Sequence, residues 1–542
     1  MSAAEAVAVS GEEMEALRRR VESRQLLDSD FAILMKILAT VQRFAMLLEQ
    51  KRVSLARLRN ILFGARTEKT DTVVGTGARE KEPKGTGKGH GRRRAQEYWG
   101  AHRQEVPHTE LTAGQRCPDC GHGNLYEMKV PSLVMWFEAV APIQATAFAC
   151  EKMRCSGCGK VFTAQPPQEA AQKKYDESVG SMVALLRYGN GMPHFRLAQL
   201  QRSLGIPLPP SVQWQLVRQK ADSCCAVIYQ CLRRHAAQGQ LMLIDDTRMK
   251  IVQEQLRQSA SKGIPIGQRE DSPLEGKKGT HTTAIVSTVE DRQIVVYATG
   301  RRQAGENMDR LLSQRDSHLP APIQMCDALA HNLPKQFQVI LANCTSHARR
   351  RFVDLVEPFP REVEIVLYIF ECLYANEETA QHRKLSPQER LEYHQLRSGF
   401  LMEGLRDWMQ GQMEWKHVEP NSVLGQAFSY MIKHWEPLTL FLRVPGAPID
   451  NNECERILKR AIMHRKNSLF FKTFTGAEVG DIFMSIIATC VLNKVNPFRY
   501  LTEVEKHAAE VREDPESWLP WNYLQRLPNR RTTRSLPEGV PA

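Results

Sequence analysis

The chain lacks any uninterrupted run of about 20 apolar residues, so the sequence predicts no transmembrane helix and no membrane partner. Its opening, "MSAAEAVAVSGEEMEALRRR", lacks a basic region followed by an apolar one. That speaks against a secretory signal and predicts a cytoplasmic protein. No internal repeat stands out. Acids are in deficit, 61 against 73 lysines and arginines, which leaves a net charge of +12. A surplus of that size favours a polyanionic partner, most often nucleic acid.

At 542 residues the chain exceeds one ordinary domain, and a hydrophobic fraction of 42% supplies real cores. The segment 1–70 is expected to be helical. Phe31, Leu34, Leu38, Val41, Ala45 and Leu48 form a heptad-like seam, interrupted further on by Arg52 and Arg59. It predicts either a short coiled coil or an amphipathic helix packed on its own domain. Residues 71–105 contain "PKGTGKGHGRRR", with no acid and no apolar side chain. They read as a flexible basic linker whose Arg92, Arg93 and Arg94 could follow phosphates. Residues 170–235 carry two apolar helix patterns around a Gly-Ile-Pro turn, a helix-turn-helix-like arrangement or a plain helical bundle. Ser211 is the expected cap of its second helix. From 238 the texture changes to short apolar strands and helices, so a multidomain α/β protein is expected. The α/β core runs over 238–352 and 441–505, interrupted by a helical insertion at 353–440 and followed by a tail, 506–542.

Thirteen cysteines should stay reduced in a cytosolic chain. Eight are scattered and read as buried thiols, and Cys344 lies beside a His-Arg run. The remaining four form "CPDC" (Cys117, Cys120) and "CSGC" (Cys155, Cys158), each followed by glycine. Two such turns present four thiolates, the donor set of a structural Zn²⁺ in a zinc ribbon over 106–166. Free thiols or redox use are the alternatives, and Cys150 and His122 are outside candidates for ligation.

Three carboxylates draw attention for their positions. Asp245 and Asp246 end the apolar strand "QLMLIDD", and adjacent strand residues point to opposite faces. Periodicity alone does not choose between them. Asp327 ends a second apolar strand, "PIQMCD", where sheet crevices place their ligands. In "IDNNECERILKRAIMHRKN" (449–467), Asn452 reads as a helix cap and Asp450 with Glu453 as a capping box. Glu455 could pair with Lys459, yet it shares a face with Leu458 and Ile462, at the edge of a buried stripe. Two strand-end aspartates and a helical glutamate could hold two Mg²⁺ or Mn²⁺ ions for phosphodiester chemistry. Arg349 and Arg350 of "SHARRRF", with Arg465 and Lys466, would surround them with positive charge.

Taken together, "LRNILFGARTEK" (58–69), the two cysteine pairs, "IDDT" (244–247), "CD" (326–327), "CTSHARRRF" (344–352), "DNNECER" (450–456), "HRKNSLFF" (464–471), "NPFRYL" (496–501) and "LPWNY" (519–523) make the chain resemble a bacterial DDE transposase of the insertion-sequence-66 family. The resemblance implies a ribonuclease H-like catalytic core with Asp245, Asp327 and Glu455 as its acids. It implies Mg²⁺ or Mn²⁺ in the active site, structural Zn²⁺, and double-stranded DNA (element terminal repeats and target) as partner. Arg349, Arg350, Arg465, Lys466 and Asn467 would face that DNA. A homo-oligomer on DNA and accessory proteins of the same element are also implied. A retained, non-enzymatic zinc-ribbon DNA-binding protein is the alternative. The chain departs from the family in having Asp246 for a usual glutamate and Ala328-Leu329 where Gly-Tyr commonly follows the second acid.

Overall fold

The computed structural model describes residues 111–120, 122–125, 141–154, 161–252 and 279–527, with scattered positions between 17 and 34. Most of the 31–62 seam, the 71–105 linker with Arg92, Arg93 and Arg94, and Cys155 and Cys158 lie outside the described residues. The chain divides into two compact units, one containing residues 228–489 and the other residues 78–227 with 490–542.

The first unit is built on a five-stranded mixed sheet. Its strands are β3 (Leu241–Arg248), β4 (His281–Val289), β5 (Arg292–Gly300), β6 (Ile323–Cys326) and β7 (Ile340–Asn343), in the spatial order β5-β4-β3-β6-β7. β3, β4 and β5 form an antiparallel meander, whereas β6 and β7 run parallel to β3. The hairpin between β4 and β5 closes through Glu290-Asp291, since Val289 pairs with Arg292. Glu290 is left-handed there, with φ 55°, as the tight two-residue hairpin requires.

Both faces of this sheet are covered, which explains the long apolar runs. Helix α5 (Ala304–Leu312) lies on one face, where Asn307 Nδ2 donates to Thr283 Oγ1 at 2.8 Å. Gly305 is needed on that helix because a Cβ would sit 2.1 Å from the Leu333 carbonyl oxygen. Helix α11 (Asn452–Ser468) lies on the other face. Cys454 Sγ donates to the carbonyl oxygen of Ala284, and Tyr297 Oη donates to that of Ile457 at 2.5 Å. Ala284 and Tyr297 are cross-strand partners and share a face, while Thr283 points the opposite way.

The outer edge of β5 is sealed by helix α12 (Phe474–Leu492). The amides of Thr299, Tyr297 and Val295 donate to Asp481 Oδ2, Ser485 Oγ and Thr489 Oγ1 at 2.6, 2.8 and 3.0 Å. Thr299 Oγ1 also donates to Asp481 Oδ1 at 2.6 Å. Burial raises the Asp481 carboxyl to about 7 against the pull of these two hydrogen bonds. Helix α12 is long and apolar enough to cross a membrane, with a mean hydropathy of 1.5 over an 18-residue window, though Glu478 and Asp481 interrupt its apolar run. It is apolar because 72% of that window is buried.

Between β7 and α11 the chain is helical: α6 (Thr345–Val353), α7 (Pro360–His382), α8 (Pro387–Arg397), α9 (Gly399–Glu414) and α10 (Val423–Lys433). A buried polar knot joins α7 to α8. Glu377 accepts from His394 Nε2 at 2.8 Å, Arg390 Nε at 2.9 Å and Gln381 Nε2 at 2.9 Å. His394 Nδ1 lies 2.9 Å from Ser398 Oγ, and Arg390 donates onward to the Ala447 carbonyl oxygen at 2.7 Å.

In the second unit, helices α1 (Glu177–Ala184), α2 (His194–Ser203) and α3 (Pro210–Lys220) pack with α13 (Pro497–Lys506), so the chain from Cys490 onward belongs with these helices. The fully buried Lys220 forms an ion pair with Glu505. Six residues join α2 to α3, with Gly205 at φ 75°. Gln213 closes that corner, donating to the Leu208 carbonyl oxygen at 2.8 Å and meeting His194 Nδ1 at 3.0 Å. Ser211 does not cap α3. The helix starts at Pro210, whose fixed φ already suits the first turn, and Pro209 is the capping residue. A short hairpin, β1 (Lys152–Arg154) with β2 (Val161–Thr163), precedes these helices.

The knot around Glu377 gives an acid-stability signature. Burial would raise its carboxyl, but the bonds from His394 and Arg390 and the charge of Arg390 lower it to about 2. A depressed folded-state value contributes stability above the ordinary 4.5, and loses it as pH falls toward about 2. Glu377→Gln should therefore cost about 2–3 kcal/mol at neutral pH and almost nothing near the acid limit. Denaturant melts of both chains across that range would show the gap closing; a constant gap would contradict it.

Candidate active site

Asp245 sits on β3 at the point where burial begins to give way. Met242, Leu243 and Ile244 are buried, and Asp245 to Thr247 are half-buried. The parallel pairing of β3 with β6 matches Leu241 with Ile323 and Leu243 with Met325. Two residues beyond the last of these pairs stand Asp245, still on β3, and Asp327, one residue past the end of β6, so the strand alternation directs both to the same face. On its other side Asp245 pairs with Ala284, the residue under α11, whereas Asp246 pairs with Thr283, under α5. Strand register thus answers what periodicity left open. Asp245 is directed to the face carrying Glu455, and Asp246 is not.

Glu455 lies in the first turn of α11, half-buried. Its pairing with Lys459 does not occur among the described ion pairs. Its neighbour is His347 on α6, with Nδ1 3.6 Å from Glu455 Oε1. The expected cap also differs. Asn451, not Asn452, occupies the capping position, and its side chain leaves the helix to donate from Nδ2 to the Ile244 carbonyl oxygen at 2.9 Å. The first turn is served by Asp450, which accepts from the Asn452 amide at 3.1 Å. No capping box forms, because Glu453 accepts from Gln293 Nε2 instead, at 2.8 Å.

The acids feel one another electrostatically, although their carboxylate oxygens do not all lie within 4.8 Å of one another. Burial, then the negative charges of Asp327, Glu455 and Asp246, push the Asp245 carboxyl up to about 7 against a hydrogen bond from the Asp246 amide. Burial also raises Asp327, opposed by the charges of His347 and His331. Asn332 Nδ2 and, at 3.4 Å, the Leu329 amide donate to Asp327 Oδ1 and set its orientation. Ala328 in place of glycine brings no backbone strain, since neither it nor Leu329 has a positive φ. A set of hard oxygen donors short of compensating positive charge fits a divalent cation such as Mg²⁺ or Mn²⁺.

The basic residues take several places. Arg465 NH1 donates to Thr247 Oγ1 at 2.7 Å and to the Arg248 carbonyl oxygen at 2.6 Å, bracing the end of β3. Lys466 is exposed, and Asn467 and Arg349 are half-buried. Arg350 is exposed beside Arg351, whose guanidinium lies 3.8 Å above the Tyr430 ring. Sequence reasoning passed over Arg351, His347 and Asn451. The "CTSH" spacing was the visible signal for His347, whereas Asn451 was hidden beside Asn452, to which the cap was assigned.

In the second unit, Cys117 and Cys120 form a tight turn in which the Cys117 amide donates to the Gly123 carbonyl oxygen at 2.7 Å. Backbone amides of Gly123 and His122, with Cys117, lower the Cys120 thiol below its ordinary value, as a metal knuckle needs. Cys155 and Cys158 lie outside the described residues, in the stretch between β1 and β2.

A profile of the family described as "Transposase IS66 family" matches residues 173–479, more than half of the chain. Three curated proteins of Sinorhizobium fredii (strain NBRC 101917 / NGR234) are similar. Uncharacterized protein y4jD is 31% identical over 189 residues, which is 34% of this chain and 36% of that protein. Uncharacterized protein y4hP is 24% identical over 394 residues, 69% of this chain and 67% of that protein. Uncharacterized protein y4qI is 22% identical over 351 residues, 64% and 62% respectively. The chain thus spans from about a third to two thirds of these relatives' lengths.

The raised Asp245 carboxyl predicts a stability penalty in the absence of metal. A folded-state value of about 7 means that its contribution to stability is complete below the ordinary 3.8 and is lost as pH rises through about 7. Asp245→Asn removes this loss and should stabilise the metal-free chain by about 1–3 kcal/mol above neutral pH, after discounting for partial exposure. Thermal melts in chelator at acid and at alkaline pH would test it. An equal or lower melting temperature for the variant at alkaline pH would show that Asp245 is not held against its charge.

Proposed function

The chain belongs to the IS66 transposase family, and from that premise we propose that it is a DDE transposase that nicks the ends of an insertion element and joins them to target DNA. The observation that carries this reading is the convergence of Asp245, Asp327 and Glu455, from two strand ends and a helix, on one face of a mixed sheet. The order β5-β4-β3-β6-β7, a three-strand antiparallel meander beside two parallel strands, supports a ribonuclease H-like core.

Asp245, Asp327 and Glu455 would hold Mg²⁺ or Mn²⁺, which when bound would activate water for 3′-end nicking and then the freed 3′-hydroxyl for joining. Asp245 must give up its proton to serve as a ligand. Asn332 and the Leu329 amide keep the Asp327 carboxylate turned toward the site. Arg465 holds the end of β3 in place, and Lys466 and Arg350 supply exposed positive charge for the phosphate backbone. Arg349 and Asn467 are assigned to the same DNA-facing surface. Cys117, Cys120, Cys155 and Cys158 would bind structural Zn²⁺. With the α2–α3 helix pair and the basic 71–105 linker, that ribbon would recognise the element ends. A homo-oligomer on DNA is part of this reading.

Asp245→Ala, Asp327→Ala and Glu455→Ala should each reduce nicking of labelled element ends in Mg²⁺ by at least about 1000-fold, a loss on the scale of removing a principal stabiliser of the transition state. DNA binding should persist. Nicking followed by joining supports the transposase, and nicking alone would leave a nuclease. Binding without either would leave a non-enzymatic DNA-binding protein, and full cleavage by a triple variant would end the assignment of the three acids.

A further inference from the structure

Cys344 and His347 occupy the capping position and the first turn of α6, three residues apart and on one side of the helix. Across from them stands Glu455 on α11. Cys344 Sγ, a ring nitrogen of His347 and a carboxylate oxygen of Glu455 all lie within 4.8 Å of one another. His347 Nδ1 is buried and has no hydrogen-bond partner. At 3.6 Å its separation from Glu455 Oε1 is too long for a hydrogen bond. It is close to the roughly 3.3 Å edge of a tetrahedron with bonds of about 2.0 Å, the length of zinc–imidazole and zinc–carboxylate bonds. The Asn451 amide points at Cys344 Sγ from 3.2 Å, a contact that favours a thiolate against burial, which pushes the thiol up to about 12 until a cation displaces its proton.

We propose that Cys344, His347 and Glu455 form a second metal site, for a borderline-soft cation such as Zn²⁺, that competes with the hard-cation set for Glu455. The donor chemistry separates the two. Asp245, Asp327 and Glu455 offer only oxygen and suit Mg²⁺, whereas sulfur and imidazole nitrogen select Zn²⁺ or Co²⁺. Binding breaks the Cys344 S–H bond as the sulfur–metal bond forms, and the proton passes to solvent. Glu455 serves one set at a time, so Zn²⁺ withdraws it from the carboxylates and inhibits strand cleavage. The inhibitory consequence rests on the transposase reading; the metal site does not.

Co²⁺ is the probe, because thiolate ligation gives it a charge-transfer band. The metal-free full chain, Cys344→Ser and His347→Gln, each shown folded by circular dichroism, are titrated with Co²⁺. The full chain should bind one equivalent more than Cys344→Ser and show a stronger thiolate band. His347→Gln, a change at a partly exposed side chain, should bind that equivalent at least about tenfold more weakly, since losing even an outer-shell partner of a ligand costs as much. Identical stoichiometry and spectra in the three chains would overturn the proposal. An extra Co²⁺ equivalent in a chain that never nicks DNA would refute the transposase reading and keep the site. Nicking that Zn²⁺ inhibits equally in the full chain and His347→Gln would refute the competition.

Discussion

Asn451 ties β3, α6 and α11 together on the sheet face that carries Asp245. It is 1% exposed, and it connects three segments far apart in the chain. Its side chain donates to the carbonyl oxygen of Ile244, one residue before Asp245. Its backbone amide reaches Cys344 Sγ, at the start of the helix that carries His347. Two residues earlier, the Ile449 carbonyl oxygen accepts from the amide and hydroxyl of Thr345 at 3.1 and 2.8 Å. Each such bond contributes only about 0.5–1.5 kcal/mol net, but leaving a buried partner unmet costs about 1–3 kcal/mol. Direction matters as much as energy. A hydrophobic contact at this junction could slide by an ångström, whereas an amide aimed at one carbonyl cannot. The position of Glu455 opposite Asp245 follows from this constraint.

Much of this was legible in the residues. Apolar runs located β3, β4, β5, β6 and β7, and the Glu290-Asp291-Arg292 turn located the hairpin. The choice between Asp245 and Asp246 was not, because with helices on both faces every position of the strand looks buried. It needed the pairing partners, Ala284 for one and Thr283 for the other. Asn451 was passed over for a related reason. Local pattern gave the cap to the next residue, Asn452, and the side-chain partner of Asn451 lies 207 residues away. Glu377, His394 and Arg390 likewise look like surface residues of amphipathic helices until α7 and α8 are packed. Pairings within a few residues are visible in a sequence; pairings across a fold leave no local trace.

The acids also set stability against chemistry. Asp245 is held where burial and three neighbouring carboxylates oppose its charge. The hydrogen bond from the Asp246 amide relieves that opposition only in part, whereas the ion pairs and hydrogen bonds around Glu377 more than offset its burial. The first arrangement costs stability whenever Asp245 is ionised, and the second contributes it. A raised value alone does not mark a site, since Asp481, an acid of the α12–β5 edge, is raised to about 7 as well; what sets Asp245 apart is the company of three other carboxylates.

The rungs joining α12 to β5 match a helix step of four residues, about 6.0 Å, to a strand step of two, about 6.6 Å. The difference accumulates by roughly 0.6 Å per rung, so the ladder suits three rungs and little more. This makes the edge intolerant of length change. Deleting one residue between Asp481 and Thr489 would turn the next rung about 100° around the helix axis and expose strand amides with no acceptor. Substitutions can drift along this helix, but insertions and deletions should be confined to the stretches before Asp481 and after Thr489.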